Sequence, residues 1–206
     1  GTGGIGFQVD YSERFAFTNH GTIDTDVEAF DLDQVSPLAS LDFVNTGRIT
    51  SKQTTIEFAV ALGQNRIMNT GTIIGANVVI DFVNSISGST FELTNLGDII
   101  GRTDAIDLTF MQGNVTITNS GLITATNAID NSTSVHLAND TYLRNTGQIL
   151  ATDDAYNGST ALDTIINAGE IVGDIISSLD LSKRPFTAQS DSGTVYTADA
   201  VILCTG

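Results

Sequence analysis

Apolar residues alternate with polar ones in short bursts along this chain, and each burst is interrupted at the same polar element, Asn-x-Gly. The full phrase is apolar-x-Asn-x-Gly-x-Ile. It occurs seven times, beginning at Phe17, Phe43, Ile67, Leu93, Ile117, Leu143 and Ile165. Between successive asparagines (Asn19, Asn45, Asn69, Asn95, Asn119, Asn145, Asn167) the steps are 26, 24, 26, 24, 26 and 22 residues. A fixed period of this length identifies a solenoid. Within the phrase the apolar residue, Asn, Gly and Ile lie two apart, which predicts strand rather than helix. Asn-x-Gly predicts a corner, because glycine accepts the positive φ of a tight turn and asparagine bonds nearby backbone.

A second apolar cluster follows most phrases: Val27, Phe30 and Leu32; Ile56, Phe58 and Val60; Val78, Ile80 and Phe82; Ile106, Leu108 and Phe110; Ile129, then Val135 and Leu137. It predicts the third side of a coil. The expected fold is all-β, a parallel β-helix of about seven coils of 22–26 residues with three short strands per coil. A leucine-rich type of repeat is excluded, since no half-unit carries a 3.6-residue apolar period. Stacked at roughly 4.8 Å per coil, equivalent residues form ladders. The seven asparagines are expected to make an amide ladder, as in cross-β stacks, and Ile23, Ile49, Ile73, Ile99, Ile123, Ile149 and Ile171 an apolar one. Residues 17–176 are read as the repeats, 1–16 as a cap or partial coil, and 177–206 as a cap or continuation, because an open solenoid end exposes strand edges.

Net charge changes the picture of partners. The chain has 24 acidic and 8 basic residues, a formal charge of −16, so a phosphate backbone or an anionic membrane would be repelled. Nucleic acid is excluded as a partner, and so is membrane insertion, since no stretch approaches the ~20 apolar residues of a spanning helix. The single cysteine, Cys204, makes no internal disulfide. No basic-then-apolar leader opens the chain, as expected of a mature or excised segment.

The candidate chemistry is acidic. Glu57, Asp81, Asp107 and Asp130 each follow the isoleucine of the second cluster, at offsets 10, 10, 10 and 9 from the repeat glycine. Carboxylates about 5 Å apart raise one another's pKa, attract a cation such as calcium, or perform acid/base work on a glycan. The bland alternative is a solvated face whose side chains splay or bond corner backbone. Asp24/Asp26, Asp31/Asp33 and Asp153/Asp154 are further oxygen donors for calcium, although the glycine-rich calcium nonapeptide is absent. Gly1-Thr-Gly-Gly-Ile-Gly6 matches the dinucleotide pattern, and Ala200–Gly206 resembles a strand-end of flavoproteins. No strand can precede Gly1 in this sequence and no helical pattern follows, so a flavin or nucleotide site is rejected. His20 and His136 are the only histidines, and no nucleophile elbow is present. Thr22, Arg48, Thr72, Asp98, Leu122, Gln148 and Glu170 share one outward position, too varied for a threonine ice-binding array. Sequons at Asn114, Asn131, Asn139 and Asn157 are ordinary for so Asn- and Thr-rich a chain.

The stretches Ile117–Ile129 and Asp163–Asp174 resemble the repeats of bacterial autotransporter passengers and the solenoids of large secreted adhesins. The resemblance covers residues 17–176. It implies a right-handed parallel β-helix, secretion, an extracellular or cell-surface location, and adhesion or scaffolding; fold alone implies no activity. The partner it implies is a host or neighbouring-cell surface protein or glycan, or another copy of the chain. It transfers no catalytic residue and no cofactor, so the protein is expected not to be an enzyme. The competing expectations are a polysaccharide-active β-helix lyase, hydrolase or epimerase, and a phage fibre segment. A lyase of this architecture needs a basic residue beside its carboxylates, whereas Arg48, Lys52, Arg66, Arg102 and Arg144 are scattered along the sequence.

Overall fold

A computed structural model describes residues 6–10, 14–33, 40–58, 63–85, 88–132, 140–159, 161–173, 176–180, 182–183, 186–190 and 195–198. They form a parallel β-solenoid with three walls. The strands are β1 (Phe7–Asp10), β2 (Phe15–Asn19), β3 (Thr22–Thr25), β4 (Phe30–Asp33), β5 (Leu41–Asn45), β6 (Arg48–Ser51), β7 (Ile56–Phe58), β8 (Gln64–Asn69), β9 (Thr72–Gly75), β10 (Ile80–Phe82), β11 (Thr90–Asn95) and β12 (Asp98–Ile100). They continue as β13 (Asp104–Asp107), β14 (Asn114–Asn119), β15 (Leu122–Ala125), β16 (Asn127–Asp130), β17 (Thr141–Asn145), β18 (Gln148–Ala151), β19 (Asp163–Asn167) and β20 (Glu170–Val172).

The first wall stacks β2, β5, β8, β11, β14, β17 and β19; the second stacks β3, β6, β9, β12, β15, β18 and β20; the third stacks β1, β4, β7, β10, β13 and β16. β21 (Ile176–Asp180), β22 (Phe186–Ser190) and β23 (Val195–Ala198) form a separate antiparallel sheet. No helix occurs among the described residues. Register follows the repeat: the phrase asparagines pair with one another across the first wall, and the phrase isoleucines across the second.

The core is one column of inward side chains. Phe43, Ile67, Leu93, Ile117 and Leu143 from the first wall, Ile49, Ile73, Ile99, Ile123 and Ile149 from the second, and Phe30, Ile56, Ile80, Ile106 and Ile129 from the third are fully buried. Aromatic rings add shape to it, with Phe58 stacked on Phe82 at 4.4 Å between centroids. Two apolar expectations fail. Phe110 is 45% exposed, because the chain turns at Thr109–Phe110 instead of continuing the third wall. Ile165 is 44% exposed although it keeps the inward register, because among the described residues no further strand pairs with β19 beyond β17. Val60, Val135 and Leu137 lie outside the described residues.

At the first corner the amides of Asn19, Asn45, Asn69, Asn95, Asn119 and Asn145 each donate three ways. Asn95 donates to the Gly97 carbonyl at 3.0 Å, the Leu122 carbonyl at 3.1 Å and the Asn119 side-chain oxygen at 2.8 Å. The same asparagine-to-asparagine bond links Asn19 to Asn45, Asn45 to Asn69, Asn69 to Asn95, Asn119 to Asn145 and Asn145 to Asn167, at 2.8–2.9 Å. A buried amide must find partners, and here the partners are the corner it sits in and the coil that follows. Asn95→Ala is expected to lower stability by about 1–3 kcal/mol, since it breaks the amide ladder at its centre, removing the bond accepted from Asn69 and the three that the Asn95 amide donates; urea denaturation checks it, and an unchanged midpoint would refute it. The corresponding change at Asn167, which is exposed and among the described residues donates only to Gly169, costs less.

The expected reason for the corner glycine is corrected by the structure. Only Gly63 and Gly88 adopt positive φ among the described residues. The phrase glycines are required by close approach instead: a Cβ on Gly47, Gly71, Gly97 or Gly121 would lie 2.0 Å from the carbonyl oxygen of the glycine one coil earlier. The corners stack so tightly that only hydrogen fits between them.

Candidate functional site

The third wall carries the acidic candidates. Its strands begin with an inward apolar residue or follow one, so the next residue must point outward. Register then places Glu57 beside Asp81, Asp81 beside Asp107, and Asp107 beside Asp130. Asp31 joins the column beside Glu57, and Gln8 stands beside Asp31 at its N-terminal end. Asp130 is followed by a bridge to Asn157. The same offset of ten from the phrase glycine places both Asp31 (from Gly21) and Asn157 (from Gly147) in this column; reading Asp31 only as half of an Asp-x-Asp pair hid it.

These carboxylates are half-buried rather than freely solvated. Asp107 accepts hydrogen bonds from the Thr109 backbone N–H at 2.9 Å and hydroxyl at 2.7 Å. Asp130 accepts the same pair from Ser132, at 2.9 and 2.6 Å. Burial pushes the Asp81 carboxyl up to about 7, and the charges of Asp107, Glu57 and Asp104 push in the same direction. Burial also raises Asp107, opposed by its two bonds from Thr109 and reinforced by Asp130 and Asp104.

The consequence for stability has a definite sign. Between the ordinary carboxylate value of 3.8 and about 7, the folded protein holds a proton on Asp81 that the unfolded chain has released. Stability therefore falls as pH rises through that window and levels off above it. We expect the melting temperature to decline from pH 5 to pH 8, and Asp81→Asn to raise it at pH 8 and flatten the profile. A melting temperature that rises with pH, and is unaltered in slope by the substitution, would contradict the electrostatics of the column.

A second charged feature lies on the first wall, and sequence spacing concealed it. Arg66 stands between Asp42 on the preceding rung and Glu92 on the following one. These three line an open groove of about 530 Å³ together with Arg14, Gln64 and Asn65. The signal was there: Asp42, Arg66 and Glu92 each lie three residues before a phrase asparagine. Taken along the sequence, the basic residues look scattered; taken across rungs, one arginine is flanked by two carboxylates.

The other candidates are dispersed. Asp24 is exposed on β3 of the second wall and Asp26 is exposed just past it, where it pairs with Lys52 of the next coil. Asp153 and Asp154 sit past β18, and Asp33 ends β4. His20 is exposed at a corner and shares a hydrogen bond with Thr46 at 2.7 Å. Among the described residues, no three His, Cys, Asp or Glu side chains converge on a point that would hold a metal ion. Residues Gly1 to Ile5 of the glycine-rich opening, His136, Asn139 and the Ala200–Gly206 segment with Cys204 lie outside the described residues.

No protein-family model matches the chain, and no solved structure matches it. Curated proteins match over a short stretch only. Thioredoxin reductases of Rickettsia typhi and Rickettsia prowazekii are each 49% identical over 37 residues, and that of Rickettsia felis is 46% identical over the same length. Each match covers 18% of this chain and 12% of the reductase. So short an overlap assigns neither a family nor an activity, and a solenoid of seven phrase-bearing rungs with two charged faces is what remains to be interpreted.

Proposed function

We propose that the chain is a structural and adhesive β-solenoid module of a secreted or cell-surface protein, without catalytic activity, presenting its walls to a host or neighbouring-cell protein or glycan. The observation that carries this reading is the commitment of the repeated residues to stacking. Asparagine, glycine and isoleucine recur because they build corner and core, while outward positions vary from coil to coil, as Thr22, Arg48, Thr72, Asp98, Leu122, Gln148 and Glu170 do. Such a surface suits recognition over an extended area. The resemblance to autotransporter and adhesin repeats points the same way, and the charge of −16 favours partners other than nucleic acid. No helix among the described residues is long and apolar enough to cross a membrane.

The groove around Arg66 favours a second reading, a polysaccharide-active enzyme. An arginine between carboxylates can neutralise a uronate while a carboxylate moves a proton. The experiment is a comparison of binding and turnover, with the 206-residue chain applied to a glycan array, to cultured cells and to acidic polysaccharides in solution. Saturable binding without change in the polysaccharide is the expected result. Turnover by the wild type, lost in Arg66→Ala or in Asp81→Asn/Asp107→Asn, would overturn the adhesive reading. Calcium is tested in the same preparation: a column that holds calcium raises the melting temperature in millimolar calcium by mass action, and the double substitution removes the gain.

A further inference from the structure

We propose that the outer face of the first wall binds a linear, uncharged oligosaccharide in one furrow that runs along the solenoid axis. The proposal deepens the adhesive reading and rests on it. The groove around Arg66 is only part of this furrow. A second groove, of about 210 Å³, has Thr116, Tyr142 and Thr164 on one side and Asn114 and Asp140 on the other. Every residue that lines either groove lies three, four or five positions before a phrase asparagine. Residues four before it, such as Leu41, Asn65, Val115 and Thr141, are buried and form the floor; those three and five before it point outward and flank the floor. Register makes the two grooves continuous. Thr90 and Glu92, where the first ends, pair with Asn114 and Thr116, where the second begins. Seven rungs at roughly 4.8 Å give a furrow on the order of 29 Å long.

The polar heads in the furrow are unengaged, unlike those elsewhere on the surface. On other outward columns, neighbours on adjacent rungs bond to one another: Gln148 donates to Glu170 at 2.7 Å, Ser120 shares a bond with Thr146 at 2.8 Å, and Asn127 donates to Asp104 at 2.9 Å. Asp42, Arg66 and Glu92 stand on three successive rungs with alternating charge. None of the three forms an ion pair or a side-chain hydrogen bond with another described residue. Opposite charges one rung apart that do not close on each other leave donors and acceptors open to a third party. Tyr142, two rungs beyond Glu92 in the same column, adds an aromatic ring that is 40% exposed.

The chemistry of the furrow selects the class of ligand. Carboxylates accept from hydroxyl groups and an arginine donates to them, so a mixed row of both suits a polyol. The exposed tyrosine ring suits the C–H face of a sugar ring. An extended peptide fits poorly, because it advances about 3.3 Å per residue, out of step with the rungs, and the backbone groups of the wall are already paired along the axis. A linear polysaccharide advances by about one rung per sugar unit. Polyanions are disfavoured by the charge of −16, and within the furrow Asp42, Glu92 and Asp140 outnumber Arg14 and Arg66. An uncharged chain of sugars is what remains.

Titration calorimetry of the 206-residue chain tests this with linear hexasaccharides of glucose, xylose, mannose and N-acetylglucosamine, and with a galacturonate hexamer as the charged control. The expected result is saturable binding of at least one uncharged hexasaccharide, tighter than its disaccharide and little changed by salt. Arg66→Ala and Tyr142→Ala, both at exposed positions, should each weaken it about tenfold or more, whereas Arg48→Ala, exposed on the second wall, should not. Binding confined to the galacturonate hexamer, affinity independent of length, or variants at Arg66 and Tyr142 that bind like the wild type would each overturn the furrow. Saturable binding to cells with no uncharged hexasaccharide bound would overturn it while leaving the adhesive reading in place. Cleavage of a bound hexasaccharide would do the reverse, removing the adhesive reading and keeping the ligand class.

Discussion

Gly97→Ala is expected to abolish cooperative folding. The new methyl carbon would lie 2.0 Å from the Gly71 oxygen, 2.8 Å from the Thr70 carbonyl carbon and 2.9 Å from the Gly71 carbonyl carbon, all of them backbone. None can swing aside as a side-chain tip would. The Gly71 carbonyl is held from two directions, by the Asn69 amide at 3.2 Å and by the Asp98 N–H at 2.8 Å. Relief requires the coils to part at this corner, which breaks the amide ladder and the flanking strand pairs together. A loss above about 4–5 kcal/mol follows, the range in which a backbone site ceases to tolerate a side chain. Circular dichroism during heating checks it, and a melting temperature close to that of the wild type would show that the corner can open without cost. The effect cannot be ascribed to restricted φ, because Gly97 lies outside the left-handed region.

Ile99→Asp should be as damaging by a different route. Ile99 is fully buried, and its rung neighbours are Ile73 before and Ile123 after. A carboxylate there has apolar neighbours above, below and across the core, with neither a donor nor water to replace its hydration. Isolated buried charge is among the largest single costs a fold can meet, and the group escapes only by taking up a proton or by opening the structure. The expected readout is loss of the cooperative thermal transition at neutral pH, with partial recovery in acid where the aspartate is neutral. Gln148→Asp, on the outward position of the second wall, serves as control: Gln148 is exposed and gives up only a hydrogen bond to Glu170. Its cost should stay within about 1 kcal/mol. Equal damage from both substitutions would mean that inward and outward positions are not distinguished as described.

The repeat in the sequence contained most of the fold, because a parallel stack brings equivalent residues into register and any period-two pattern states which side faces the core. Period, alternation and the second apolar cluster were sufficient for a three-walled parallel solenoid, with no helix among the described residues. The same arithmetic extended to the acidic column, and counting ten residues from Gly21 would have included Asp31. Other features needed the coordinates. Phe110 and Ile165 look like core residues in the sequence, yet one lies at a turn and the other on the last strand of the first wall among the described residues, and burial depends on what stacks above rather than on residue type. The neighbours of Arg66 lie 24 and 26 residues away along the chain, so its relation to Asp42 and Glu92 is invisible until rungs are aligned.

By itself, then, the sequence determined the walls, the register and the inward faces, because these follow from local periodicity repeated at a constant interval. Only the tertiary structure decided how closely the corners approach, how far water is excluded from Asp81, and which apolar side chains at turns stay exposed. Each of these depends on distances between chain segments a whole coil apart, about which the order of residues along the chain is silent.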